Sequence, residues 1–199
     1  MKEECVLPLS VRRERVPQST QFRSTWVVSS IQSLRAHGNF ERYSALLPSS
    51  HREEILHAVV GSWMPIAVVR VHYAACEQLG LTLQEQLRMG TAVGERAQGS
   101  LLATVVKAAR GAGVTPWTII PQFDRLWHRG VDGGAVAAYK LGPKEARVEF
   151  MGCELFEIDY FRNAFRGVLQ GIMTLFSRVS YVHELKRAPD EATFRFQWV

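Results

Sequence analysis

The segment Glu157-Ile-Asp-Tyr-Phe-Arg-Asn-Ala-Phe-Arg-Gly-Val-Leu-Gln-Gly-Ile-Met-Thr-Leu-Phe176 constrains this chain more than any other. Phe161, Ala164, Phe165, Val168, Leu169, Ile172, Leu175 and Phe176 recur at helical spacing and give one wide apolar face. Asp159 has the chemistry of an N-cap, since its carboxylate can accept from the first free backbone N–H groups. Gly167 and Gly171, four apart, leave a shallow groove for a close neighbour. The flanking stretches look like strands, so this helix is expected to lie across a sheet.

The strands follow from period-two alternation. Ala135 to Leu141 and Ala146 to Met151 form a predicted hairpin around Gly142-Pro-Lys-Glu145. Val179 to Leu185 and Thr193 to Val199 form a second pair. In the last of these, Phe194, Phe196 and Trp198 share one face and Arg195 and Gln197 the other. Helical patterns fill most of the chain before residue 130. A segment from Gln21 to Val28 reads as a short strand or lead-in, and Ser29 or Ser30 is the predicted cap of a helix to Ala36. Ser50 and Glu53 have capping-box spacing. Leu83 to about Arg110 is the longest helical pattern, and its stripe is narrowest at Gly90, Gly94 and Ala97. Each glycine costs about 1 kcal/mol of helix propensity relative to alanine. Close packing against another helix accounts for that cost; room for a ligand or a twofold partner is the alternative. Thr115-Pro116 is the predicted start of the next helix.

The expected fold class is therefore α+β: an N-terminal helical layer on a C-terminal four-stranded antiparallel sheet, with one long helix between the strand pairs. Residues 1–20, with Pro8 and Pro17, are expected as a flexible arm, and residues 21–199 as a single domain.

Composition narrows the function. The net charge is +5, but no third of the chain concentrates the excess, so no basic stripe for nucleic acid is present. No apolar run reaches the roughly 18 residues of a membrane span, and a cytoplasmic location is the default expectation. Three distant cysteines, Cys5, Cys76 and Cys153, do not make a disulfide framework or a cysteine zinc site. His72 and Cys76 share a helix face but have no third ligand, so no metal and no cofactor are assigned. No nucleophile elbow, phosphate loop or dinucleotide fingerprint occurs.

The aromatic side chains Trp117, Trp127, Tyr160, Phe161 and Phe165 are the candidate lining of a ligand pocket. Arg96, Arg129 and Arg162 are the candidate anchors for an anionic group. The same aromatics would also build an ordinary core between helices and sheet.

A series of short segments carries a resemblance. Gly94-Glu-Arg96, Gly99-Ser-Leu-Leu102, Thr115-Pro-Trp117, Gly142-Pro-Lys-Glu-Ala-Arg147, Tyr160-Phe-Arg162 with Gly167, and Phe196-Gln-Trp198 together resemble a myxobacterial family of paralogous proteins of unknown function. The resemblance covers roughly residues 22–199. That family is similar in turn to heme/nitric-oxide-binding domains, 4-vinyl reductase domains and TRAPP transport components. The resemblance implies a bacterial ligand-binding or dimerising α+β module. Heme-binding members need an axial histidine and a Tyr-x-Ser-x-Arg motif, and that motif is absent here. The resulting expectation is a non-catalytic regulatory or scaffolding module. It would bind a small apolar or acyl ligand, a protein partner, or itself as a homodimer. The alternatives are a heme or metal-dependent sensor and an enzyme without a recognisable motif.

Overall fold

The computed structural model describes residues 3–97 and 115–199. Eight strands are found among them: β1 (Glu4–Leu7), β2 (Gln21–Arg23), β3 (Trp63–Pro65), β4 (Val131–Asp132), β5 (Ala135–Gly142), β6 (Glu145–Met151), β7 (Ser180–Ala188) and β8 (Glu191–Trp198). Seven α-helices accompany them: α1 (Ser24–Ala36), α2 (Phe40–Leu46), α3 (Ser49–Leu56), α4 (Ile66–Glu77), α5 (Leu83–Ala97), α6 (Phe123–Gly130) and α7 (Asp159–Met173). The architecture is α+β, with an antiparallel five-stranded sheet ordered β1-β5-β6-β8-β7 and a three-stranded sheet ordered β3-β2-β4.

The large sheet has two unlike faces because its strands alternate. Val148 pairs with Phe194 and Ala146 with Phe196, and all four are fully buried under the helical layer. On the opposite face Arg147 and Arg195 stand across from each other, each paired with its own carboxylates. Arg147 pairs with Glu3 and Glu149, Arg195 with Glu145, and Arg13 with Glu149 and Glu191. Phe194, Phe196 and Trp198 thus lie on the buried side, as their spacing predicts.

The helix α7 covers the sheet, and α5 lies directly against α7. Two glycine pairs set how close they come. A Cβ on Gly90 would run into the Ala164 carbonyl, and one on Gly167 into the Leu87 carbonyl. At Gly94 it would sit 3.0 Å from Val168 O, and at Gly171 3.4 Å from Thr91 O. Thr91 Oγ1 also donates across the seam to Gly167 O at 3.3 Å. The small-residue stripe is therefore a helix–helix notch, the close-packing reading of the sequence. The helix α5 starts with a capping box that sequence reading missed: Thr82 N–H and Oγ1 donate to Glu85 Oε2 at 2.8 and 2.7 Å.

Several local expectations are corrected. The sheet has five strands, not four, because Glu4–Leu7 pairs with β5. Part of the supposed arm is thus an edge strand, and Arg13 is tied down by its two carboxylates. The helix α1 begins at Ser24, so Ser29 and Ser30 are interior. Ser24 Oγ donates to Val59 O at 2.5 Å instead of capping. No side-chain capping bond forms at Ser50, whose hydroxyl meets His51 Nδ1. Asp159 opens α7 without capping it, because its carboxylate is taken by Arg162 and Arg187. After Thr115 the chain makes two 3-10 turns, at Pro116–Thr118 and Ile120–Gln122, since Pro121 cannot donate to a continuous helix. The rest of the long helical pattern after Ala97 lies outside the described residues, as does Gly99 to Leu102.

Candidate functional site

The helix α6 is short but strongly two-sided. Phe123 and Trp127, four apart, are buried, and Leu126 is half-buried beside them. Trp127 Nε1 donates to Gly133 O at 3.0 Å, which fixes the indole. Asp124 Oδ1 accepts from Val136 N–H at 3.0 Å and ties α6 to β5. Facing α6, the helix α7 presents Phe165, Val168, Leu169 and Ile172, and the sheet contributes Phe150. The rings interlock edge to face: Phe150 and Phe165 have centroids 4.8 Å apart at 90°, and Trp127 meets Phe165 at 5.9 Å and 79°.

These side chains leave a gap between them that is open to solvent on one side. A cavity of about 240 Å³ remains between α1, α6, α7 and β6, with Val93 of α5 at one side. Its lining is apolar except for Thr25, Ser29, Arg23 and Arg129. Trp26, in the first turn of α1, forms part of its wall. The close fit of that indole depends on Gly130, where a Cβ would strike the ring nitrogen. A second space of about 20 Å³, bounded by Ser30, Tyr73, Met89, Tyr160 and Phe161, shares Trp26, Val93, Phe165 and Val168 with the first. It is large enough for about one water molecule.

The candidate residues separate on this map. Trp127 and Phe165 line the larger cavity, and Tyr160, Phe161 and Phe165 the smaller. Trp117 lies elsewhere. It packs on Trp198 at 5.1 Å and donates to Pro143 O at 2.7 Å, bracing the β5–β6 turn. Arg162 lines neither cavity: it is 3% exposed, donates to Phe156 O and Asp159, and sits 3.0 Å from Glu184 as an ion pair. It is a buried strut between α7 and β7. The side chain of Arg96 lies outside the described residues. Arg129 does line the cavity, at the end of α6.

Arg23 was not legible as a site residue. The stretch from Gln21 to Val28 reads as a short strand or lead-in, although Val27, Ile31 and Leu34 already carry helical spacing. That spacing would have moved the helix start forward and brought Arg23 and Trp26 to one corner.

A separate polar cluster is sealed behind α4. His72, fully buried, receives or gives a hydrogen bond at 2.5 Å with Tyr43 Oη, and its Nε2 is 3.8 Å from Cys76 Sγ. Burial lowers the His72 pKa to about 3, so the imidazole stays neutral. Burial also raises the Cys76 thiol and the Tyr43, Tyr73 and Tyr160 phenols, and Cys153 to about 12. These thiols are not nucleophiles at neutral pH. Among the described residues, no group of three or more His, Cys, Asp or Glu side chains could hold a metal ion.

No protein-family model and no curated protein matches the chain. Solved structures do match in shape. An oxygen-binding H-NOX domain related to soluble guanylate cyclases superposes with a TM-score of 0.61 at 15% identity, covering 88% of this chain and 94% of that one. An H-NOX structure from work on heme distortion gives 0.63 at 16%, covering 88% and 94%. A T. tengcongensis H-NOX variant gives 0.62 at 16%, covering 88% and 97%.

The fold is H-NOX-like.

The α+β fold is the one that the sequence resemblance implies. No helix among the described residues is long and apolar enough to cross a membrane.

Proposed function

We propose that this protein is a sensory or regulatory ligand-binding domain, built on an H-NOX-like fold, that takes a small apolar ligand into the cavity between α1, α6, α7 and the sheet. The supporting observation is that cavity: about 240 Å³, with walls of Trp26, Phe123, Trp127, Phe150, Phe165 and Leu169. Sites for small molecules have such walls with a few placed polar groups. In this reading the protein acts by binding, not by catalysis. Its described lining offers hydroxyls and guanidiniums but no carboxylate, imidazole or thiol to act as base or nucleophile. On the sequence resemblance we also place it in the myxobacterial paralogous family.

The H-NOX neighbours favour sensing over scaffolding, and heme sensing is the second reading. The donor set argues against heme in this cavity. A heme needs an axial donor, and among the described lining residues there is no His, Cys, Met or Tyr. Residues 98–114 contain none of these by sequence. His128, on α6 next to Trp127, is 43% exposed, lies 3.6 Å from Asp124 and is not part of the described lining. The smaller space, which Met89, Tyr73 and Tyr160 do line, is far too small for a porphyrin.

Native mass spectrometry of the freshly purified full chain tests the proposal. A stoichiometric, non-covalent small mass that dissociates on denaturation is expected. Persistent absence of any bound mass, across preparations and after incubation with apolar ligands, contradicts it. Heme titration separates the two readings: no saturable Soret shift is expected, and a stoichiometric one favours the heme sensor.

A further inference from the structure

The cavity's apolar walls do not explain its two arginines. Arg23 closes β2, and its Nη1 donates to Gly61 O at 2.7 Å. Its guanidinium carbon lies 4.0 Å over the ring of Trp63. One donor and one face of the plane are thereby held, which orients the group while most of its five N–H donors stay unused by that bond. Arg129 lines the same cavity from the last turn of α6. Neither arginine has a carboxylate partner among the described ion pairs. Arg13, Arg70, Arg147, Arg162, Arg187 and Arg195 all do. The described lining therefore carries two positive charges and no negative one. Low-dielectric walls beside like charges strengthen their pull on an anion.

The walls set the rest of the occupant. Beyond the arginines only Thr25 and Ser29 offer polar atoms, and the remainder is aromatic or aliphatic. On the scale at which the 20 Å³ space holds about one water, this one holds roughly a dozen methylene-sized groups. Resting on the ligand-binding reading above, we infer that the cavity takes an amphipathic monocarboxylate of medium chain length. Its carboxylate meets Arg23 and Arg129, and its chain runs between Trp127, Phe165, Leu169 and Ile172. Trp63 is a positioning residue: it touches no ligand atom and acts through the plane of Arg23.

Trp26 and Trp127 line the cavity, so indole fluorescence of the full chain reports occupancy directly. The probes are decanoate, decanol and decyl phosphate, each below its micelle concentration. Decanoate is expected to saturate the change, with decanol at least about tenfold weaker, the loss of a charge-assisted contact. Arg23→Gln and Arg129→Gln should each weaken decanoate about tenfold and leave decanol unchanged. Trp63→Leu should weaken decanoate only. Raising salt on the unmodified protein should weaken decanoate and not decanol, which tests the anchor even where a variant fails to fold. Equal binding of decanoate and decanol, or no effect of either arginine, overturns the anchor while the ligand-binding reading stands. Tight decyl phosphate with weak decanoate overturns the carboxylate class. Failure of all three probes contradicts the ligand-binding reading itself.

Discussion

The two flanks of α7 are packed to opposite extremes. On one side it meets α5 backbone to backbone, with no room for a methyl group at Gly90 or Gly167. On the other it faces α6 across about 240 Å³ of unfilled space. The empty side is not a general looseness of the fold, since the same helix leaves no room for a methyl group on its other flank. The difference suggests a division of labour. The glycine seam fixes where α7 lies over the sheet, and large rings on its far flank prop α6 and α1 apart instead of filling the gap. The gap reaches solvent beside the exposed Thr25 and Arg129, so a ligand has a way in.

The largest effect should come from forcing a methyl group into the tightest point of the seam. Gly90→Ala is expected to cost about 3 kcal/mol or more, because its Cβ meets backbone and not a flexible side chain. Urea unfolding measures this, and a loss below about 1 kcal/mol would mean the seam is looser than described. His72 is sealed elsewhere, behind α4. Its native pKa, near 3, lies below the ordinary value of 6.5, so between those values the unfolded chain takes up a proton that the native state refuses. Stability should therefore fall as pH drops from 6.5 towards 3, by at most about 1.4 kcal/mol per pH unit from this group. His72→Asn should be less stable at pH 7 and show a flatter slope, read from denaturant midpoints at several pH values. On the open flank, Ile172→Phe adds volume where there is space. It should shift stability by less than about 1.5 kcal/mol in either direction. Gly171→Ala, where the added carbon would sit 3.4 Å from Thr91 O, should be neutral or gain up to about 1 kcal/mol of helix propensity. Opposite signs for Gly90→Ala and Gly171→Ala would locate the tight end of the seam. The smallest effect belongs outside both flanks: Arg13→Ala breaks two half-exposed ion pairs and should cost less than about 1 kcal/mol.

The sheet and α7 were legible because their side chains alternate or recur with a period that burial enforces. Phe194, Phe196 and Trp198 could face only one way. The seam was legible for a different reason: Gly90, Gly94, Gly167 and Gly171 cost helix propensity that only close packing offsets. The caps were not legible. Asp159 and Ser50 have the right chemistry, but their side chains are drawn off by Arg162, Arg187 and His51, partners remote or unremarkable in the sequence. The edge strand β1 was hidden because four residues beside a proline-bearing arm show too little alternation to count. At the site, Trp127 and Phe165 were found because aromatics on amphipathic helices mark a core or a pocket. Arg162 and Trp117 carry the same chemistry but serve as struts, and only their tertiary neighbours reveal it. The place of Arg23 beside Trp26 could be reached from helical spacing, but the orientation of its guanidinium could not, because Gly61 and Trp63 hold it across β2 and β3.

The most direct test compares decanoate binding by the unmodified protein and by Ile172→Phe, with both proteins shown to unfold at similar urea midpoints. A void held open for a ligand requires saturable binding in the first and a loss of about tenfold or more in the second. Equal affinity in the two would place the ligand elsewhere and leave the space beside α7 without the role assigned to it.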